Sequence, residues 1–169
     1  QWSREGESWR GCFVSRFPSL SFSRFELRTT NGSGAPAARE LSAGEGFLEN
    51  ERLRVEIDGN GDIARLFDKL DRRELLAAPV GLEIRDNFSD RFPSWEIRWE
   101  DTTRPARTRI AGPTRTTVVE RGPARVALAI ERSAEGSRFV QTIALAAGAA
   151  GDQVVIDTAI DWRTDAALL

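Results

Sequence analysis

The stretch that decides the fold runs Leu48-Glu49-Asn50-Glu51-Arg52-Leu53-Arg54-Val55-Glu56-Ile57, turns through Asp58-Gly59-Asn60-Gly61-Asp62, and returns as Ile63-Ala64-Arg65-Leu66-Phe67-Asp68-Lys69. In its first arm Leu53, Val55 and Ile57 alternate with charged residues, so one face of the segment is apolar and the other polar. A period of two is typical of a half-buried β-strand. The glycines of the turn supply the positive φ that a tight hairpin needs. The stretch therefore predicts a β-hairpin that ends in an Asp-Lys pair.

The same alternation continues along most of the chain, and no segment shows a sustained helical period. Turn residues separate the runs at Arg121-Gly122-Pro123 and at Ala134-Glu135-Gly136. Many short alternating runs between turns indicate an all-β fold, an antiparallel β-sandwich. The later runs on which this prediction rests are Val126, Leu128 and Ile130; Phe139, Gln141, Ile143 and Leu145; and Val154, Ile156, Thr158, Ile160 and Trp162, the last with Asp157 and Asp161 on its opposite face.

The domain organisation is predicted from a stretch rich in small residues, Gly and Pro. Asn31–Ala38 reads Asn-Gly-Ser-Gly-Ala-Pro-Ala-Ala, a composition that resists packing and is typical of a linker. We predict an N-terminal arm over residues 1–30, a linker-like segment over 31–46 and the β-domain over 47–169. The chain begins at Gln1 without an initiator methionine and ends in Leu168-Leu169, which reads as mid-strand. We therefore expect a piece of a longer polypeptide, with the β-domain truncated at its C-terminal end and an apolar patch on one face.

Composition excludes several classes of function. The 169 residues are 40% hydrophobic and 30% charged, as in soluble globular proteins. A net charge of −2 gives no reason to expect nucleic acid or an anionic membrane as partner, and no apolar run is long enough to span a bilayer. The chain contains no histidine, which excludes a Ser-His-Asp triad and any imidazole-based zinc site within it. We therefore predict no catalytic residue, no metal ligand and no cofactor in this chain.

One segment interrupts the strand pattern with a mixture of groups typical of sugar-binding sites. It runs from Arg85 to Glu96 and combines carboxylates, an amide, arginines and aromatic residues. Planar polar groups can hydrogen-bond sugar hydroxyls, and aromatic faces can stack on the ring. The candidate substrate-binding residues are Asp86, Asn87 and Trp95. The simpler alternative, favoured on sequence alone, is a surface loop with solvated charges whose aromatic residues pack on the sandwich. Trp95 and Trp99 lie four residues apart, which favours core packing on one side of a strand.

Asp58-Gly59-Asn60-Gly61-Asp62 starts like a calcium-binding loop, with oxygen ligands at alternate positions. The pattern then fails, because Ile63 replaces the sharp-turn glycine and Lys69 replaces the bidentate glutamate. We therefore interpret this segment as a hairpin turn.

Several motifs, taken in order, resemble one domain family. Phe17-Pro18-Ser19-Leu20-Ser21-Phe22 is similar to a "VPxLGY" strand, and residues 48–69 to a "LENxxLRVxxDxxGxIxSxxDK" run. Glu120-Arg121-Gly122-Pro123-Ala124-Arg125 is similar to "ExGPxR", and Gln141-Thr142-Ile143 to "QxI". Asp161-Trp162-Arg163, followed by Leu168-Leu169, is similar to the "DWxExxxLLK" end. Together these segments resemble the C-terminal β-domain of glycoside hydrolase family 38, the α-mannosidases, in its bacterial and cytosolic branch.

The resemblance carries expectations about fold and function. It implies a sandwich related to the galactose-mutarotase-like supersandwich. It also implies a parent enzyme that removes α-linked mannose with retention, using an aspartate nucleophile and one zinc ion on an N-terminal α/β domain. The partners it implies are that catalytic domain of the same polypeptide and an α-mannoside, and the implied location is cytoplasmic. The family's loop reads "DRPxxWDAWDI", whereas Asp90–Ile97 lacks its first tryptophan; Thr164 replaces a glutamate, and the chain has no tyrosine.

Two hypotheses follow. In the first, the chain is a non-catalytic structural domain that packs on the catalytic domain and lends its 82–97 loop to the rim of the active-site cleft. In the second, it is a free-standing carbohydrate-binding sandwich that holds glycans through Trp95. A mutarotase-like enzyme is disfavoured, because that chemistry typically needs histidine as the acid.

Overall fold

The computed structural model describes residues 1–28, 41–93, 95–112 and 115–169, without the side chains of Ser3 and Glu5. Within these ranges the chain forms fourteen strands, one short α-helix and one 3-10 helix. The all-β prediction is confirmed. The elements are β1 Trp2–Glu5, β2 Ser8–Gly11, β3 Ser42–Gly44, β4 Phe47–Glu49, β5 Leu53–Ile57, β6 Ile63–Asp68, β7 Arg73–Glu74, β8 Glu83–Asp86, α1 Trp99–Thr103, β9 Thr108–Arg109, β10 Arg115–Arg121, β11 Arg125–Ala134, β12 Ser137–Ala146, the 3-10 helix Gly148–Gly151, β13 Val155–Asp161 and β14 Ala167–Leu168.

Two antiparallel sheets form the sandwich. One has five strands in the order β3-β4-β5-β6-β7, and the other has four in the order β10-β11-β12-β13. Their inward side chains share one apolar core, because alternate residues of each strand point to the same side. The buried members of this core are Leu48, Leu53, Val55 and Ile63 from the first sheet and Val126, Leu128, Ile130, Ile143 and Leu145 from the second.

The hairpin predicted from residues 48–69 is confirmed. β5 pairs antiparallel with β6, with Val55 opposite Leu66. The Asp62 carbonyl accepts a hydrogen bond from the Asp58 amide at 3.0 Å and closes the turn, where Gly61 has a φ of +79°. The Asp58 carboxylate accepts hydrogen bonds from the Asn60 and Asp62 amides at 2.8 and 3.0 Å. The Asp58 carboxylate therefore stabilises the turn, which agrees with the interpretation of this segment as a hairpin turn.

The second hairpin predicted from turn residues is also present. β11 and β12 pair from Arg125 opposite Ala146 to Ala134 opposite Ser137. Glu135 and Gly136 connect them with φ values of +49° and +81°. Positive φ at both central residues is the turn geometry that matches the twist of paired strands.

A third sheet has three strands in the order β14-β8-β9. The segment that leads into it forms an isolated antiparallel bridge with the sandwich, between Val80 and Ile63 of β6. The core of this sheet consists of Ile84 and Ile110 together with Phe139 of β12. β8 ends at Asp86, where the chain leaves this sheet in the loop that contains the candidate site residues.

The last predicted run forms a strand but does not bury a face. Every residue of β13 is exposed, and Ile156 and Ile160 on its apolar side are 42% and 43% exposed. Alternation had correctly placed these isoleucines opposite Asp157 and Asp161. Alternation alone does not predict burial, and among the described residues no second layer covers this strand.

The domain boundaries stay a prediction. Most of the linker-like segment, including Asn31–Ala38, lies outside the described residues. Ser42–Gly44, in the same predicted segment, forms β3 and pairs with β4. In the predicted arm, β1 and β2 form a two-stranded hairpin whose Gln1 side chain accepts hydrogen bonds from the Ala124 and Arg125 amides at 3.2 and 2.8 Å.

Candidate functional site

The candidate residues lie in and beside the loop of residues 87–98, which connects β8 to α1. We call the described residues of this segment the 87–98 loop. The backbone amide of Asn87 donates to the Ala166 carbonyl at 2.9 Å, which ties the start of the loop to the segment before β14. The Asp101 carboxylate of α1 accepts a hydrogen bond from the next residue of the loop, through the Phe88 amide, at 3.2 Å. The start of the loop is therefore tied both to the segment before β14 and to α1.

Asn87 organises the loop from inside. Its side chain is only 8% exposed, donates from Nδ2 to the Pro93 carbonyl at 2.7 Å, and accepts the Ser89 amide on Oδ1 at 3.0 Å. The Ser89 hydroxyl in turn donates to the Glu96 carboxylate at 2.6 Å. A hydrogen bond between a side-chain amide and the nearby backbone stabilises turns in this way. Asn87 therefore positions the loop, and its polar atoms face the loop backbone.

Asp86 lies at the end of β8 in an ion-pair network. Its carboxylate accepts a hydrogen bond from Arg107 Nη1 at 2.9 Å, and Arg107 also pairs with Glu135 of the β11–β12 turn. Arg107 and the Thr108 hydroxyl hold the pKa of Glu135 below its ordinary value. Glu135 and Asp86 together raise the pKa of Arg107. Asp86 links the start of the loop to the sandwich while its side chain stays 40% exposed.

The tryptophans of this region are at the surface, so the expectation of core packing was wrong. Trp95 is 83% exposed and Trp99 is 77% exposed. Neither lies in a strand, because Trp95 is in a turn and Trp99 begins α1. Trp95 contacts Phe92 edge to face, with ring centroids 6.5 Å apart.

These residues are among five exposed apolar side chains of the 87–98 loop and α1, which we together call the aromatic surface. Two arginines stack on it: Arg104 lies over the Phe88 ring at 4.4 Å, and Arg91 lies over the Phe92 ring at 5.2 Å. Such a surface can stack on sugar rings or pack against another protein surface. Its members are Phe88, Phe92, Trp95, Ile97 and Trp99, all at least 44% exposed.

An open groove of about 660 Å³ lies beside the aromatic surface and shares Ile97 with it. Its floor is largely apolar, including Val80, Leu82 and Leu168. The charged groups on its wall are already paired: Arg85 with Glu83 at 2.7 Å, and Arg109 with Asp62 at 3.0 Å. The groove therefore offers a concave, largely apolar surface for contact, and Arg85 and Arg109 in its wall already have carboxylate partners.

A buried charged cluster, which was not among the predicted site residues, joins the sheets. Arg132 and Asp62 are 1% and 0% exposed, and their side chains pair at 2.6 Å between Nη1 and Oδ1. Asp62 also accepts Arg109, and Arg132 donates to Gln141 of β12. The burial of Arg132 was predictable from the sequence. It follows Val126, Leu128 and Ile130 at the same spacing of two, and alternate residues of a strand point to the same side.

The residues that carry the strongest sequence motif are structural in this fold. Asn50 uses its side chain to join β5 to the end of β12, and Asp68 caps the turn after β6 by accepting the Leu70 and Asp71 amides at 2.9 and 3.1 Å. Lys69 pairs with Glu49 at 3.0 Å. These contacts hold the strands and turns of the motif together.

The described residues do not fit a zinc site. None of the His, Cys, Asp and Glu side chains in the described ranges form a group of three or more that could hold a metal ion. In the same ranges, neither helix has the length and apolar character that crossing a bilayer requires.

Comparison with known proteins identifies a family for this chain. Residues 48–169 match the family described as glycosyl hydrolases family 38 C-terminal domain. No curated protein matches the chain. The matched range contains both sheets of the sandwich apart from β3 and the start of β4, as well as the 87–98 loop. The chain belongs to the glycosyl hydrolase family 38 C-terminal domain family.

Proposed function

We propose that this chain is the supporting β-domain of an α-mannosidase, packed on the catalytic α/β domain of the same polypeptide, with the 87–98 loop at the rim of the active-site cleft. The observation that carries the proposal is the aromatic surface, which is exposed on a loop that internal hydrogen bonds organise. Desolvating five large apolar side chains favours burial against another surface, at about 25 cal/mol per Å². Asn87 and Asp86 then act by fixing the loop on the sandwich.

In this proposal, the catalytic α/β domain carries out the hydrolysis. An aspartate nucleophile, retention of configuration and a zinc ion are properties that the family resemblance implies for the catalytic domain. The described part of this chain contributes no zinc ligand set and supplies a docking surface. A cytoplasmic location and a relation to the bacterial and cytosolic branch are part of the same proposal.

An activity assay tests the supporting role directly. The 169-residue chain is incubated with an aryl α-mannoside in the presence of zinc, and we expect no turnover. Release of the aryl group by the purified chain, retained after a second purification step, would contradict the proposal.

A free-standing carbohydrate-binding module is the second candidate, because exposed Trp95 and Trp99 resemble the stacking platforms that sugar binders use. Calorimetry with mannose and mannobiose separates the two. We expect no binding heat from the isolated chain. Saturable binding that Trp95→Ala abolishes, and that Trp9→Ala on exposed β2 leaves unchanged, would favour the module.

Substitutions in the longer enzyme test where the surface docks. Trp95→Ala combined with Trp99→Ala removes two exposed rings without opening a core cavity. We expect this pair to weaken the packing between the domains and to lower kcat/KM for an aryl α-mannoside, whereas Trp9→Ala leaves it unchanged. Equal kcat/KM in all three proteins would refute docking through the aromatic surface.

A further inference from the structure

β13 is an open edge of the four-stranded sheet. Among the described residues it pairs only with β12, in a regular register from Arg138 opposite Asp161 to Ala144 opposite Val155. An edge strand presents a row of unpaired backbone N–H and C=O groups to its outer side. All seven of its residues are exposed.

Of the usual protections of an edge strand, β13 has two charged residues and lacks the others. It contains no proline and no lysine, and its pairing with β12 shows no bulge. Its charges are Asp157 and Asp161, and Asp161 is paired with Arg163 at 3.2 Å. Native proteins normally block such edges with charges, prolines or bulges to prevent pairing with another strand.

The strand is self-complementary about Thr158. If two copies pair antiparallel around a two-fold axis at Thr158, Ile156 of one faces Ile160 of the other on the apolar side. On the opposite side, Asp157 faces Ala159 and Asp161 faces Val155. Every aspartate is then opposite an apolar residue, and the isoleucines contact each other.

Neighbouring registers lack this complementarity. A two-fold axis perpendicular to the sheet keeps the same face up in both copies, so paired residues must have the same parity. Centring the pair on Asp157 places that carboxylate opposite its own copy. Centring it on Ala159 places Asp157 opposite Asp161. Like charges directly opposite one another destabilise a strand pair.

We propose that β13 is a self-association edge, at which two copies of this chain join their four-stranded sheets into one eight-stranded sheet in the Thr158-centred register. The contact is confined to one strand from each copy, so the dimer is of the small, transient class. This proposal is independent of the role of the aromatic surface.

Sedimentation velocity over a concentration series tests the proposal with the full 169-residue chain. We expect a reversible monomer–dimer equilibrium. Ala159→Asp places two carboxylate pairs across the axis and should raise the dissociation constant about tenfold, since two like-charge contacts act together. Ala159→Lys places a cation opposite Asp157 in each half and should lower it. Ala149→Asp, on the exposed 3-10 helix, adds the same charge away from the edge and should leave it unchanged.

A charge swap tests the register itself. Combining Asp157→Lys with Ala159→Asp restores opposite charges across the axis, and the dissociation constant should return to at most the wild-type value. A circular dichroism spectrum equal to that of the wild type confirms that each variant is folded. A chain that stays monomeric at every concentration, or a dimer indifferent to Ala159→Asp, would overturn the proposal.

Discussion

Asn50 uses all four hydrogen-bonding positions of its side-chain amide to hold three segments together. Nδ2 donates to the Ala146 and Gly151 carbonyls, both at 2.9 Å, and Oδ1 accepts the Arg52 and Leu53 amides at 2.9 and 2.6 Å. The side chain is 1% exposed, so water cannot replace these bonds. Gly151 permits this approach, because a Cβ there would lie 2.3 Å from Asn50 Nδ2.

Asn50→Ala should lower the free energy of unfolding by about 2–4 kcal/mol, because buried backbone groups lose their partners. Asn60→Ala, in the exposed turn of the same hairpin, is the matched control and should change it by less than about 0.5 kcal/mol. Urea denaturation followed by circular dichroism measures both. Equal midpoints for the two variants would show that Asn50 is dispensable.

The buried pair of Asp62 and Arg132 gives a second prediction at this scale. Arg132→Leu leaves the Asp62 carboxylate with half-exposed Arg109 as its remaining arginine partner, and we expect a loss of about 3–5 kcal/mol in the free energy of unfolding. Adding Asp62→Leu removes the stranded charge as well. The double variant should therefore be more stable than Arg132→Leu alone in the same denaturation experiment. A double variant that is the less stable of the two would contradict this account.

At the scale of elements, the ends of β4, β5 and β6 are held by carboxylates whose ionisation stabilises the fold. The Asp71 amide, with help from Arg52 and the Leu70 amide, lowers the pKa of Asp68 against the opposing effect of burial. Burial alone would raise the pKa of Glu49, but hydrogen bonds from Lys69 and Arg54 lower it on balance. Both groups therefore bind protons less tightly in the folded chain than in the unfolded chain.

The sign of the pH dependence follows from these shifts. Above the unfolded pKa values, about 3.9 for Asp and 4.3 for Glu, both carboxylates are ionised and their contribution to stability is fully present. That contribution is lost as the pH falls through the lower folded pKa values. We expect the thermal midpoint to drop steeply below about pH 4, and Arg52→Gln, which lacks the charge beside Asp68, to show a shallower drop. Parallel curves for the two proteins would contradict the role of Arg52.

Periodicity predicted several of the longer strands, among them β5, β11, β12 and β13, and the apolar side of each, but not how much of that side is buried. Leu53, Val55 and Leu128 are buried as expected, whereas Ile156 with the same kind of pattern is not. Burial depends on the layer that lies opposite, which no local pattern contains. The 87–98 loop and α1 were predictable only as an interruption, since their shape follows from the buried amide of Asn87 and from Asp101.

At the scale of the whole molecule, none of the tryptophans is buried, and the least exposed, Trp162, lies at the edge of the core against the Phe139 ring, with centroids 6.3 Å apart. The chain has five tryptophans, and all are at least 38% exposed in the folded state. The apolar cores are built from aliphatic residues and Phe139. The large rings are instead distributed over the surface.

Tryptophan fluorescence should therefore report unfolding weakly. We expect the emission maximum and the acrylamide quenching constant of the native chain to be close to those of the chain in concentrated urea, while circular dichroism shows a cooperative transition. A large red shift on unfolding would mean that one of the five rings is shielded, and single Trp→Phe variants would identify it.

Lys69 is the only lysine of the chain, and it lies at the start of the turn between β6 and β7. A lysine-specific protease therefore has a single peptide bond to cut, the one between Lys69 and Leu70. We expect the two products to stay associated, because Phe67 and Asp68 pair with β7 across the cut and both pieces contribute strands to the sandwich. The fold thus contains a natural split point, from which two separately produced halves could be reassembled without a covalent link.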